Sequence, residues 1–304
     1  MRISNRSAVT LLLLLAPAVL WGADLPSTWD SGPGFSLLPR AFQKNPHLMV
    51  MVVTEFTAAG KKLPSADAGH PQYYYLLPGN YQSVGDTIAG EEPPKQADLE
   101  NILRQSLAKA GYREADKLHP PTIAVHYMWG SWNKLTSLSN LSGGVAGMGS
   151  TDDDDDSDDM QVQNLLERSA LVGGTAFASQ VLDHLNAGNL TLWENSTPTI
   201  NYLMAEVRQN RYFLIADAYD YQSALKEQRI LLWRTKISTN AQGVTMNESV
   251  PQLVASAAPY FGHETQGPVR LNRAVVKEGQ VIIGEPTVKG MQAPDDDAGA
   301  PAAK

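Results

Sequence analysis

The stretch YFLIADAYDYQSALKEQRILLWRTKIS, residues 212–238, decides the fold. Residues 213–219 and 230–237 are rich in aromatic and β-branched side chains, and the polar run between them carries Asp, Gln, Ser, Lys and Glu, so the stretch reads as two β-strands and a connection. That connection is too long for a two-residue hairpin and holds no Asn-Gly or Asp-Gly. Alternation on the second strand sends Leu231, Trp233, Thr235 and Ile237 to a core face and Ile230, Leu232, Arg234 and Lys236 to the other, which should become wet toward Lys236. The first strand is apolar on both sides and belongs inside a sheet.

Upstream, HLMVMVVTEF (residues 47–56) is a further strand buried on both faces, and residues 73–77 form another, leading into a Pro78-Gly79 turn. Tyr73, Tyr74 and Tyr75 read first as strand tyrosines that pack their rings, and second as an aromatic platform for a sugar or peptide. Leu99, Ile102, Leu103, Leu107 and Ala110 share a face at helical spacing, with Asp98 as N-cap and Gly111 as the residue past the C-cap. Pro120-Pro121 then gives way to a strand over residues 122–132, with Ile123, Val125, Tyr127 and Trp129 on one side.

Residues 134–210 read as a helical insertion between strands. Within it, residues 137–159 form a disordered loop ending in an Asp run whose like charges repel. The run lacks the glycine and distal glutamate of an EF-hand, so it reads first as solvated, and second, over Asp152 to Asp159, as a calcium site for adhesion. A helix over residues 160–187 is interrupted at Gly173-Gly174, and Thr197 or Thr199 starts another that reaches Gln209. Beyond the central strands, Ser249 and Pro251 open a helix that Pro259 and Gly262 finish. Residues 269–276 and 280–284 form a hairpin around Glu278-Gly279, and residues 291–304 are a disordered tail.

The start of the chain has the layout of a secretory signal over residues 1–23: Arg2 and Arg6, an apolar run over residues 8–20, then Gly22 and Ala23. That run is shorter than the roughly 20 residues of a membrane span. Residues 24–46 are a Pro-, Gly- and Ser-rich extended lead-in, and residues 47–290 make a single α/β domain. Cysteine is absent, which excludes disulfides, thiolate chemistry and a lipid-bearing cysteine. The net charge is −8, but the acidity is local to residues 152–159 and 295–297. Nothing basic is left to bind nucleic acid.

Several of these segments in order carry a resemblance: Leu76-Leu77-Pro78-Gly79 after Tyr75, the helix ADLENILRQSLAKAGY ending at Tyr112, a strand after Pro121, and the aromatic strand pair with Leu231-Leu232-Trp233-Arg234 followed by an apolar helix. Together they resemble bacterial envelope proteins and lipoproteins typified by the family called domain of unknown function 4136. The resemblance implies an exported α/β sandwich with no known activity and brings no catalytic residues with it. This chain departs from it in having no lipid-attachment cysteine and a longer insertion at residues 134–210.

No catalytic, cofactor or metal set emerges. His47, His70, His119, His126, His184 and His263 stand in no HExxH-like arrangement, no G-x-S-x-G exists, and Gly143, Gly144, Gly147 and Gly149 do not have phosphate-loop spacing. Asp217 and Asp220 are read as a cap and turn at a strand end, or else as paired carboxylates. The expected fold class is α+β: a mainly antiparallel twisted sheet with helices packed on one face, the helical insertion, and the disordered acidic loop and tail. The expected role is that of a periplasmic or secreted envelope protein, non-enzymatic, binding another envelope protein or component, with no membrane span once the signal is removed. The alternative is a hydrolase using carboxylates near Asp217.

Overall fold

Central strands apolar on both sides need neighbours on both edges and cover on both faces, and one sheet supplies them here. The computed structural model describes residues 46–86, 91–133, 155–186 and 197–274. The strands are β1 (His47–Phe56), β2 (Gln72–Leu76), β3 (Asn80–Val84), β4 (Tyr112–Glu114), β5 (Ile123–Trp132), β6 (Arg211–Asp220), β7 (Leu231–Asn240) and β8 (Val269–Ala274). They form one largely antiparallel sheet in the order β4-β2-β5-β6-β7-β1-β8, with β3 also paired to β5. The helices are α1 (Gln96–Lys109), α2 (Asp155–Asn186), α3 (Pro198–Val207), α4 (Tyr221–Ala224) and α5 (Met246–Ser256).

The strands of the 212–238 stretch are neighbours, as their composition implies, and β6 is held by β5 on its other edge through a ladder from Ile123↔Asp220 to Trp132↔Arg211. The segment expected to turn at Pro78-Gly79 does not reverse. Both β2 and β3 run parallel to β5 along the same edge. Leu77 bridges the gap by donating its N–H to the Val125 carbonyl at 2.8 Å. Gly79 passes so close to the Tyr127 ring that a Cβ would stand 2.1 Å from its Cζ, so this bend needs a residue without a side chain.

The first face is apolar. Leu48, Val50 and Val52 of β1, Val125 and Tyr127 of β5, Leu214 and Ala216 of β6, and Trp233 and Ile237 of β7 meet Leu99, Leu103 and Leu107 of α1 and Val250, Leu253 and Val254 of α5. Gly111 adopts φ +90°, as expected of the residue past a C-cap. α1 begins earlier than expected, with Lys95 at the N-cap position, so Asp98 lies in the first turn, where its charge favours the helix dipole. α5 likewise starts before Ser249: the Thr245 hydroxyl accepts from the Glu248 N–H, and Pro251 lies inside the helix.

Helices on one face alone is the part of the expectation that fails. α2 and α3 lie within the insertion as expected, but they cover the second face, where Met51 meets Val172, Phe177, Val181, Leu203 and Val207. Trp132, Leu171 and Phe213 form a smaller cluster beside them. Thr197 caps α3 through the Ile200 N–H. α2 is already helical from Asp155, inside the stretch expected to be disordered to residue 159. It breaks at Gly174, which has φ 85° and ψ 176° and is no longer helical. The wet edge expected near Lys236 is absent, because Lys236 is 6% exposed. An irregularity at Ala218/Tyr219 pairs Ala218 with Trp233 and Tyr219 with Leu231. Leu232 consequently joins the first-face core instead of the second face. The expected leader, most of the lead-in, residues 137–154, the strand at 280–284 and the tail lie outside the described residues.

The insertion is tied to the sheet by Arg168, itself 3% exposed. Its Nε donates to the Val207 carbonyl at 2.8 Å, its Nη1 to the carbonyls of Trp132 and Asn133 at 3.2 Å each, and its Nη2 to that of Gln209. Burial, with Arg211 nearby, brings its pKa down to about 10, so it stays charged at neutral pH. Arg168→Ala would strand several buried acceptors at once and should lower unfolding stability in urea by at least about 3 kcal/mol. Arg104→Ala, at a partly exposed surface pair, should cost under about 1 kcal/mol in the same measurement.

Candidate functional site

Alternation places Tyr74 of β2 in the first-face core and so turns Tyr73 and Tyr75 to the second face. On the neighbouring strands, the register sets Tyr75 beside Ala124 and Ala124 beside Tyr219. Ala124 is 3% exposed between its larger neighbours. The Tyr221 ring lies 6.3 Å from that of Tyr75 at a 60° tilt, and the Tyr73 ring stacks on His119 at 4.5 Å and 5°. The result is a strip of rings from β2, β6, α4 and the segment before β5, with the small Ala124 of β5 between Tyr75 and Tyr219. α2 lies over β1 and β7, the short α4 reaches this part of the second face at its end through Tyr221, and Tyr75 remains 51% exposed.

Two residues further along the strands, on the same face, runs a charged row. Glu55 pairs in register with Arg234, Arg234 with Asp217, and Asp217 with His126. Arg234 donates from Nε to Asp217 Oδ1 at 2.5 Å and from Nη2 to Oδ2 at 2.6 Å, a two-pronged pair. The Tyr219 hydroxyl donates to Asp217 Oδ2 at 3.3 Å. Burial and the adjacent Asp217 carboxylate raise the Tyr219 pKa, and the hydrogen bond to Asp217 raises that of Arg234. At the other end of the row, Glu55 accepts from Lys236 Nζ at 2.9 Å, from the Thr175 N–H at 2.6 Å and from its hydroxyl at 3.0 Å. Glu55 thus caps the part of α2 that restarts after Gly174. Burial alone would raise its pKa, but the bonds from Lys236 and Thr175 outweigh this and hold it below the ordinary value.

Asp217 and Asp220 are not brought together as an acid and a base. Asp220 is the N-cap of α4, its carboxylate accepting from the Ser223 N–H at 2.7 Å. Asp217 is engaged by a guanidinium that cannot give up its proton, which suits an ion pair rather than proton transfer. The histidines are dispersed: His47 contacts Asn272, His184 the Gln180 carbonyl, His263 that of Phe261, and His70 and His119 the aspartates three residues before them. Among the described residues no three His, Cys, Asp or Glu side chains gather as metal ligands, and no helix is long and apolar enough to cross a membrane. The sequence pointed to Tyr75 and Asp217 but gave no sign of their neighbours, because the register that joins β2 to β5 and β6 is a long-range property.

No protein-family model matches the chain, and no curated protein sequence does. Among solved structures it is similar to the PelC dodecamer from Paraburkholderia phytofirmans, at 11% identity over 71% of this chain and 99% of that one, with a TM-score of 0.29. It is also similar to a PDZ domain protein from Parabacteroides distasonis, at 10% identity over 76% of this chain and 39% of that one, with a TM-score of 0.35. Scores this low carry nothing about topology or function.

Two outcomes follow from the charged row. Because the folded pKa of Glu55 is depressed, its contribution is present above the ordinary value of 4.5 and is lost as the pH falls through the lower folded value. Glu55→Gln should therefore be less stable than the parent at pH 7, and the difference should shrink as the pH drops below 4, in denaturation curves taken across that range. A double-mutant cycle of Asp217→Asn with Arg234→Gln should return a coupling of about 1–3 kcal/mol, since Asp217 is buried and its partner only half so.

Proposed function

We propose that this chain is an exported cell-envelope binding module that works without catalysis and offers the tyrosine strip of its sheet to another envelope component. The observation that carries the reading is Tyr75: a large ring, half exposed, on a strand paired along both edges. Exposed aromatic residues on a rigid support are the anchors on which binding surfaces concentrate their energy. The signal-like layout of residues 1–23 and the resemblance to envelope proteins support export, and the absence of cysteine favours a periplasmic or secreted protein over a lipid-anchored one. The carboxylate-hydrolase alternative gains nothing from an Asp217 already engaged by Arg234 and Tyr219.

The test is chemical crosslinking of the purified chain to an envelope fraction, in parallel with Tyr75→Ala. A reproducible partner should be enriched by the parent chain and reduced at least about fivefold by the substitution. Recovering no partner under several crosslinking conditions, or an equal yield with Tyr75→Ala, sinks the reading.

A further inference from the structure

The ligand of the strip can be narrowed by what surrounds the rings. Resting on the binding-module reading above, we propose that the strip takes a neutral glycan, whose sugar rings lie on Tyr75 and its aromatic neighbours while their hydroxyls reach the Asp217–Arg234 pair.

Strand addition by a peptide is ruled out at this place by the pairing. β2 has β4 and β5 on its edges, β5 has β2 and β3 on one edge and β6 on the other, and β6 has β5 and β7. At the rings themselves the backbone is engaged: the Tyr73 carbonyl accepts from the Thr122 N–H and the Leu77 N–H donates to Val125, while β4 flanks β2 only over Gln72–Tyr74, so a strand added beyond Tyr74 would lie beside the rings and not on them. Recognition has to come through ring faces and side-chain polar groups.

Charge narrows it further. The Arg234 guanidinium is matched by Asp217, and His119 at the opposite end of the strip is matched by Asp116, with 3.1 Å between Nδ1 and Oδ1. Hydrogen bonds, first from the His119 side chain, hold the Asp116 carboxyl below the usual carboxylate range, so it is ionised beside that ring. A matched Arg234 and an ionised Asp116 do not favour a phosphate or a polyanion. What remains is the outer Nη1 of Arg234, on a side chain 39% exposed, and the tyrosine hydroxyls, since the buried Asp217 already accepts from Arg234 and Tyr219. Flat apolar faces beside paired donors and acceptors suit a sugar, which has C–H bonds on one face and vicinal hydroxyls at its rim. A lipid chain would leave those polar groups unmatched.

The experiment is saturation-transfer NMR on the full chain with three soluble neutral probes, cellohexaose, maltohexaose and chitohexaose, and with polygalacturonate as an anionic arm. Transfer from the protein to the ring protons of at least one neutral probe is expected, stronger than to polygalacturonate. Tyr75→Ala should weaken it at least about tenfold and Tyr75→Trp should retain it, with the thermal midpoint unchanged because Tyr75 is half exposed. No transfer to any neutral probe overturns the inference, and so does equal binding by Tyr75→Ala. If the probes fail while Tyr75→Ala still loses a crosslinked protein partner, the glycan falls and the binding-module reading stands; if both fail, both fall.

Discussion

A cation taken out of water persists only when its N–H groups find acceptors, and the second face of this sheet is organised by that requirement. Arg168 finds carbonyls at the end of β5 and just after α3. Arg211, fully buried, donates through Nε to Ser238 and through Nη1 to Glu206, its Nη2 finding no acceptor among the described residues. Lys236 finds Glu55, and Glu55 in turn receives the Thr175 N–H where α2 breaks. Arg168 ties α2 to α3 and to the end of β5, Arg211 ties β6 to α3, and Glu55 ties β1 to the break in α2, so two helices that share only small apolar clusters with the sheet are nonetheless held in one position.

The two faces therefore divide the labour. The first, under α1 and α5, is a continuous apolar layer whose burial is the main source of stability. The second is part ionic, part aromatic, and open near β2. Because β2, β5 and β6 beneath the tyrosine strip are hydrogen-bonded into the sheet, its rings stand on ordered backbone, which reduces the ordering cost of any association there.

Much of the architecture was legible in short-range pattern. β1, β6, β7 and α1 fall within a few residues of where composition and periodicity place them, and Thr197 and Gly111 act as the cap and the stop their types suggest. Pro78-Gly79 was misread because a Pro-Gly pair marks a reversal in isolation, whereas here the Tyr127 ring and the edge of β5 hold the chain on course. Ser249 and Pro251 imitated a helix start because the true cap, Thr245, follows a strand end with no apolar signal of its own. The cover over Lys236 was beyond local reading, since it comes from Thr175 and Gly174 acting on Glu55, residues far apart along the chain. The candidate site shows the same split: Tyr75 and Asp217 are visible in the sequence, but that a neutralised ion pair lies two residues along the same face from a row of rings is known only from register.

β1 lies between β7 and β8, so both of its edges wait for segments made much later in synthesis. Until they arrive, ten residues rich in Val and Met stay unzipped, with hydrogen-bonding groups and apolar side chains open to any passing strand. Sheet closure is thus a late, long-range event, slow by topology. The nascent chain carries its stickiest strand first and its remedy last, which makes the interval between them the period of greatest exposure to aggregation and to the need for a chaperone.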